Sequence, residues 1–356
     1  GEVYRTNLLV KMLCLVANKV ATLDPSGIGI EMEANKPSWY DSLNGLPGLL
    51  GSSTCETFEL KRFAQFLLHS FNELAVGDGI SVWMFEELHD LVTSLDPVLE
   101  QDEDPLEYWK KANNVKEIYR EKVRSGVRGN EKEISVGDVR RFLQKVIAKT
   151  DRAEPLARDK NGLFPTYIYH TVSKYEYDNS GDEGKESVLV RPLEFVRHDL
   201  PLFLEGFVHA LRSEQDAGKA LELHEKVRRS PLFDKELKMY KVNADITGET
   251  KEIGRTRVFP RGWLENESVW LHMEYKYLLE LIRRGLYEEF YQDFRSVCVA
   301  FLDPKKYGRS TLENSSFIVS SAHPDKELHG QGFVARLSGS TAEFVHMWMF
   351  LNAGTS

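Results

Sequence analysis

The sequence predicts a mainly α-helical protein with a small β-containing insertion. Three observations predict it. Apolar residues recur at helical spacing in one segment after another, Ser or Asp stands before several of them as a cap, and only one region alternates as strands do. At 356 residues the chain exceeds what one small core needs, so one large domain or two both fit.

The elements follow in order. Tyr4 to Ala21 has helical apolar spacing. Ser53-Thr54-Cys55-Glu56 reads as a capping box, Ser53 at the N-cap and Glu56 reaching back, and the helix it opens extends to Leu74. Amphipathic patterns over Ile80 to Ser94, Pro105 to Ser125 and Glu131 to Lys149 predict three more helices. Leu163 to Tyr177 and Ser187 to Val196 are rich in Tyr, Thr, Ile and Val and read as short strands around an acidic, Gly-containing turn. Asp199 is a plausible N-cap, with Pro201 near the first turn of a helix reaching Ser213. Ala217 to Arg229, Ser268 to Arg284 and Tyr287 to Phe301 continue the helical pattern, and Thr341 to Leu351 is apolar enough to predict burial. Helices joined by long loops fit an (α/α)6 toroid, and the composition also fits a helical bundle.

Composition narrows the function classes. A net charge of −9 with intermixed signs argues against nucleic acid as the main partner, because phosphate-backbone binding needs a basic face. Cys14, Cys55 and Cys298 are few, odd in number and widely spaced, so neither a disulfide framework nor a metal site is expected, and a reduced, cytoplasmic protein is. No run reaches the apolar length of a membrane span, and Leu8 to Val20, interrupted by Lys11 and Lys19, does not read as a signal peptide. The chain opens without Met inside a predicted helix, as an excised piece of a larger protein would.

Two loops are chemically dense. Residues 31–48 carry two Glu, Lys36, Trp39, Tyr40, Asp41 and Asn44 among Gly and Pro, a composition that breaks helix and strand alike. Asp41 stands two residues after Trp39. Apolar and aromatic neighbours raise a carboxyl pKa, and a carboxylic acid kept protonated beside an aromatic ring suits a proton donor for glycosidic bond cleavage. The second loop set runs from Tyr307 through Glu313 and Phe317 to His323-Pro324-Asp325 and His329-Gly330, then Arg336 to Glu343. Ser340-Thr341-Ala342-Glu343 reads as a second capping box, which puts Ser338, Gly339 and Ser340 at a helix N-terminus. Free N–H groups and the helix dipole favour an anion there, Gly339 would let it approach the backbone, and Arg336 and His329 would complete a phosphate cradle. An ordinary capped helix is the alternative.

These residues resemble the inverting glycoside phosphorylases of the cellobiose phosphorylase type, whose catalytic domain is an (α/α)6 barrel. Ser38-Trp39-Tyr40-Asp41-Ser42 is similar to the family's Asp-Trp-Asn-Asp-Gly motif, matching at the Trp and the second Asp, with Ser38 and Tyr40 as departures. Glu265-Asn266-Glu267-Ser268, followed by His272, resembles its Glu-Asn-Gly-Gly helix start. Glu313-Asn314-Ser315 resembles Glu-Pro-Tyr, with Phe317 at an aromatic position; His329-Gly330 matches a His before Gly; and Ser338-Gly339-Ser340 resembles the phosphate-binding Thr-Gly-Thr.

The resemblance implies part of such a toroid: barrel helices with the acid loop in residues 1–95, an insertion in 96–200, and the remaining barrel helices with the phosphate loop in 201–356. It implies Asp41 as general acid. Lys36, Trp39, Asn44, Glu265, Asn266, Glu313 and Phe317 would contact the sugar, and His329, Arg336, Ser338, Gly339 and Ser340 would contact phosphate. Phosphate is then a substrate, with no cofactor or metal, and the partners are sugar and phosphate, with another chain or missing segments completing the barrel and a homo-oligomer as a further expectation. The acid loop and the Ser338–Ser340 helix start would face one pocket, within about 15 Å of each other. An inverting hydrolase would instead use Glu265 or Glu313 to activate water, and a non-catalytic carbohydrate-binding or structural piece is the third reading.

Overall fold

A computed structural model describes residues 3–32, 43, 51–100, 104–178, 189–334 and 339–354. The protein is mainly helical, with eleven α-helices and small antiparallel sheets among those residues. Contacts divide it into two units, residues 1–31, 52–157 and 170–198, and residues 32–51, 158–169 and 199–356. No helix among the described residues is long and apolar enough to cross a membrane.

The first unit is built on five helices: α1 (Leu8–Val20), α2 (Thr54–Glu73), α3 (Glu86–Glu100), α4 (Pro105–Val123) and α5 (Val136–Ala157). Their buried faces repeat at three and four residues: Val10, Leu13, Val16 and Val20 on α1, Leu60, Ala64, Leu67 and Phe71 on α2, and Leu88, Leu91, Val92 and Leu95 on α3. α4 and α5 add Tyr108, Ala112, Phe142 and Val146 to the same core, and α3 runs through the boundary expected at residue 95. The unit also holds most of a four-stranded sheet of order β1-β2-β5-β6, formed by β1 (Ile30–Glu31), β2 (Gly51–Ser53), β5 (Tyr167–Asp178) and β6 (Leu189–Asp199).

Two helices expected here start later than their periodicity suggested. Ser81–Phe85 is strand β3 and Glu131–Ser135 is strand β4, paired antiparallel with Ser81 opposite Ser135 and Phe85 opposite Glu131. Each strand runs without a loop into the helix after it, so a helical window reads across the junction. The local signal is the alternation Ser81-Val82-Trp83-Met84, exposed and buried in turn. The Ser53 cap is half of the expected box: its Oγ accepts from Cys55 N at 3.2 Å, while Glu56 pairs with Lys19 at 2.7 Å.

A turn at residues 24–29 closes on one carboxylate. Asp24 is fully buried and accepts the backbone N–H groups of Ser26, Ile28 and Gly29 at 2.9–3.0 Å and the Ser52 hydroxyl at 2.6 Å. Glu31, which ends β1, accepts the Trp109 indole N–H at 2.7 Å and lies 3.8 Å from Lys116. Burial outweighs the lysine and pushes the Glu31 carboxyl up to about 7.

The second unit holds α6 (Leu204–Ser213), α7 (Ala217–Arg229), α8 (Leu271–Arg283), α9 (Tyr287–Val297), α10 (Pro304–Tyr307) and α11 (Gly339–Ala353). β7 (Phe233–Asp234) pairs with β8 (Met239–Tyr240), and β9 (Val269–Trp270), β10 (Phe317–Ile318) and β11 (Gly332–Phe333) form a sheet of order β11-β10-β9. α8 packs against α6, α9 and α11 and is buried on nearly every side, Glu274 and Glu280 included. Glu280 is paired with Arg212 at 2.9 Å and Arg283 at 2.8 Å. Glu274 accepts Tyr240 N at 3.0 Å, and burial holds its carboxyl well above the usual range. Beside it Asp293 bonds Arg228 and the Tyr240 hydroxyl, and His224 Nδ1 lies 3.0 Å from the Tyr277 hydroxyl. Desolvation, reinforced by Arg228, lowers His224 to about 4.

Three expectations change in this unit. α6 starts at Leu204 rather than after Asp199, because Phe203 is bridged to Asn243, with Leu204 N donating to Val242 O and Ala244 N to Leu202 O, which keeps the chain extended through Phe203. α8 starts at Leu271 because Val269–Trp270 is a strand. The last helix is not buried: Val345, Trp348 and Met349 face out, and only Ser340 and Met347 are buried among its described residues. Ser340 is its second residue, so it does not serve as the N-cap.

Candidate functional site

The second unit brings several expected residues together around one turn. Trp263 and Asn266 exchange backbone hydrogen bonds, each N to the other's O at 3.1 Å. Between and beyond them Leu264 (φ 48°) and Glu267 (φ 57°) sit in the left-handed region, which costs a side-chain-bearing residue about 1–2 kcal/mol. The surroundings hold this strained turn. Asn243 donates to Glu265 O and accepts Glu267 N, both at 2.7 Å, and the Trp270 indole donates to Leu264 O at 2.7 Å.

The two carboxylates of the turn are buried and clamped. Glu265 accepts Arg255 Nη2 at 2.7 Å and the Thr256 hydroxyl at 2.9 Å. Glu267 accepts Lys241 Nζ at 2.6 Å and also pairs with Arg261. Buried charges of this kind persist when paired and bonded. Asn266 differs: its Nδ2 donates to Phe259 O at 3.0 Å, but its Oδ1 is buried without a hydrogen-bond partner. An orphan buried acceptor costs about 1–3 kcal/mol.

Trp263 ties the turn to the strands. Its ring centroid lies 5.2 Å from Phe317, 4.7 Å from Phe333 and 6.1 Å from His323. Phe317 is buried behind it, so the half-buried indole of Trp263, rather than Phe317, is the aromatic surface at the turn. His329 braces the next loop. Nε2 is 2.8 Å from His323 O and Nδ1 is 3.5 Å from Glu236, so both ring nitrogens face protein partners. Glu313 lies apart from the turn, exposed and paired with Arg309 at 3.0 Å.

Gly339 opens α11 against α8. A Cβ at this position would stand 2.9 Å from the His272 ring, so the close approach that requires glycine is to an imidazole. His272 Nε2 is also 3.7 Å from Glu343 in the first turns of α11. Lys36, Trp39, Asp41, Asn44, Arg336 and Ser338 lie outside the described residues, and with them the expected span from Asp41 to Ser338.

Trp263, Asn243, Arg255 and the packing role of His272 were not singled out by sequence reading. One signal was available: Trp263-Leu264-Glu265 has the same Trp-x-carboxylate spacing as Trp39-Tyr40-Asp41. No protein-family model matches the chain, and no curated protein is significantly similar to it.

Proposed function

We propose that the chain is the catalytic part of an inverting glycoside phosphorylase, its helices belonging to an (α/α)6 toroid. Inorganic phosphate attacks the anomeric carbon of a β-glucoside or β-glucan. The glycosidic C–O bond breaks with its electron pair going to the departing oxygen, Asp41 protonates that oxygen, and α-glucose 1-phosphate forms. The reading also runs in reverse, as synthesis, and fits a reducing cytoplasm, since Cys14, Cys55 and Cys298 form no disulfide.

The observation that carries the choice of phosphate over water is the clamping of Glu265. A hydrolase needs a second carboxylate free to take a proton from water. Glu265 spends its oxygens on Arg255 and Thr256, and Glu313 is engaged by Arg309. Phosphate, already anionic, needs no such base. The backbone at Gly339 and Ser340, beginning α11 beside His272, is suited to hold it.

The test is phosphate release from glucose 1-phosphate across a panel of sugar acceptors. Asp41→Asn lowers turnover by about 10²–10⁴-fold, the usual worth of a general acid. Sugar cleavage that proceeds at full rate without phosphate overturns the reading. Gly339→Val is a poor probe of the phosphate site because its side chain would strike His272; Ser340→Ala, with the phosphate KM read against the sugar KM, is cleaner.

A further inference from the structure

The first unit carries a polar cleft, in neither of the dense loops. It opens between α3, β4 and α5, has a volume of about 370 Å³, and is lined by His89, Asp96, Glu133, Ser135, Asp138 and Arg141 among others. That size falls in the range of small-ligand sites, about 300–1,000 Å³.

Its charges are already matched. Asp96 is bonded to Lys145 at 2.5 Å, and Asp138 to Ser135 Oγ at 2.5 Å and to Arg141. A metal ion would have to displace these partners, so the carboxylates do not form a cation trap. Instead the cleft mixes acceptors with spare lone pairs, guanidinium donors and hydroxyls. His89 adds an imidazole to the lining. Such a mixture matches a neutral ligand with many hydroxyl groups.

The neighbouring strand supplies the other half of a sugar site. Trp83 pairs directly with Glu133 across the β3–β4 ladder, so indole and carboxylate stand on the same face, where Glu133 also accepts the Ser81 hydroxyl. Trp83 is 53% exposed although its strand neighbours Val82 and Met84 are buried. A pyranose ring has an apolar C–H face to lay on an indole and an edge of hydroxyls for carboxylate and Arg.

We propose that Trp83 and the cleft that Glu133 shares with it, from His89 to Arg141, form an oligosaccharide-binding subsite of the first unit. It holds a neutral glucan strand, Trp83 stacking on one sugar and Glu133 and Arg141 bonding hydroxyls of that sugar or the next. The proposal needs no catalysis by this chain. It rests on the phosphorylase reading only for β-glucan as the probe.

The experiment is affinity electrophoresis of the full chain through gels containing soluble β-glucan, with a β-linked glucose tetrasaccharide titrated by tryptophan fluorescence. Retardation of the wild type and about tenfold weaker binding of Trp83→Ala, with Glu133→Gln weakened in the same direction, are expected; tenfold corresponds to about 1.4 kcal/mol. Both positions are exposed, so the variants fold, and circular dichroism checks it. Asp41→Asn should bind as the wild type does, which separates failure of this site from failure of the catalytic reading. The proposal is overturned by a wild type that is not retarded, by unchanged binding in Trp83→Ala, or by binding lost only in Trp39→Ala.

Discussion

The turn at residues 24–29 in the first unit and the turn at 263–268 in the second solve one problem in opposite ways. In the first, glycine takes the left-handed position (Gly27, φ 69°) and four donors converge on the Asp24 carboxylate. In the second, Leu264 and Glu267 take left-handed positions, and Asn266 Oδ1 is left without a partner. The first is relaxed and fully bonded, as a structural turn is. The second is held under strain by Asn243, Arg255, Lys241 and Arg261, and strain of this kind collects where side-chain placement matters more than stability. Carboxylate content alone does not tell them apart; bond saturation and backbone φ do.

The largest expected effect is Asp24→Ala. It strands three backbone N–H groups and the Ser52 hydroxyl inside the first unit and should cost about 3–5 kcal/mol. Pulse proteolysis in urea, read on peptides of that unit, measures it. A loss below 1 kcal/mol would mean that the carboxylate is replaceable and that the contrast between the turns is wrong.

Next is acidity, where the units should respond with opposite signs. His224 has a folded pKa near 4 against 6.5 in the unfolded chain. Its contribution is intact above pH 6.5 and is lost as pH falls toward 4, by at most about 3 kcal/mol. Glu31 has a folded pKa near 7 against 4.5. Its contribution is intact below pH 4.5 and is lost as pH rises through 7, again by at most about 3 kcal/mol. His224→Asn should flatten the acid slope of the second unit, and Glu31→Gln the neutral slope of the first. Parallel slopes in variant and wild type would show that those groups titrate normally in the fold.

The smallest effect is the sharpest on the turns themselves. Gly27→Ala must adopt a left-handed φ with its Cβ 3.1 Å from Pro105, and should cost about 1–2 kcal/mol. Leu264→Gly relieves strain while loosening the unfolded chain, so stability should change by no more than about 1 kcal/mol. Turnover should nevertheless fall about ten- to a hundredfold as Glu265 and Asn266 lose their placement. Equal stability losses in the two variants would remove the distinction.

Helix existence was legible in the sequence because the buried faces repeat cleanly: Val10, Leu13, Val16 and Val20 are one stripe both on paper and in the fold. The strands at Ser81 and Glu131 were not, since each abuts a helix and five residues of alternation are absorbed into a longer window. Burial of the last helix was misjudged because apolar content is not packing: Trp348 and Met349 add hydrophobicity but point outward. At the candidate site, Glu265 and Asn266 were singled out through the resemblance of Glu265-Asn266-Glu267-Ser268 to a helix-start motif. Their surroundings were not legible, since these depend on Asn243 and Arg255, which lie outside that motif, and on φ angles that no residue type announces.

The burial of α8 on nearly every side bears on how this chain can change length. A helix advances about 100° per residue, so one residue inserted before Glu280 would swing its carboxylate away from Arg212 and Arg283 and drive another side chain into the core. Deletion would do the same in the other sense. Evolutionary drift in length is therefore barred from α8 and from the Glu265 turn that leads into it. The exposed segment after α4, with Gly126 and Gly129 at positive φ, can lengthen or shorten at little cost. Insertions and tags placed there should leave the fold intact, whereas the same additions within Leu271–Arg283 should abolish expression of soluble protein.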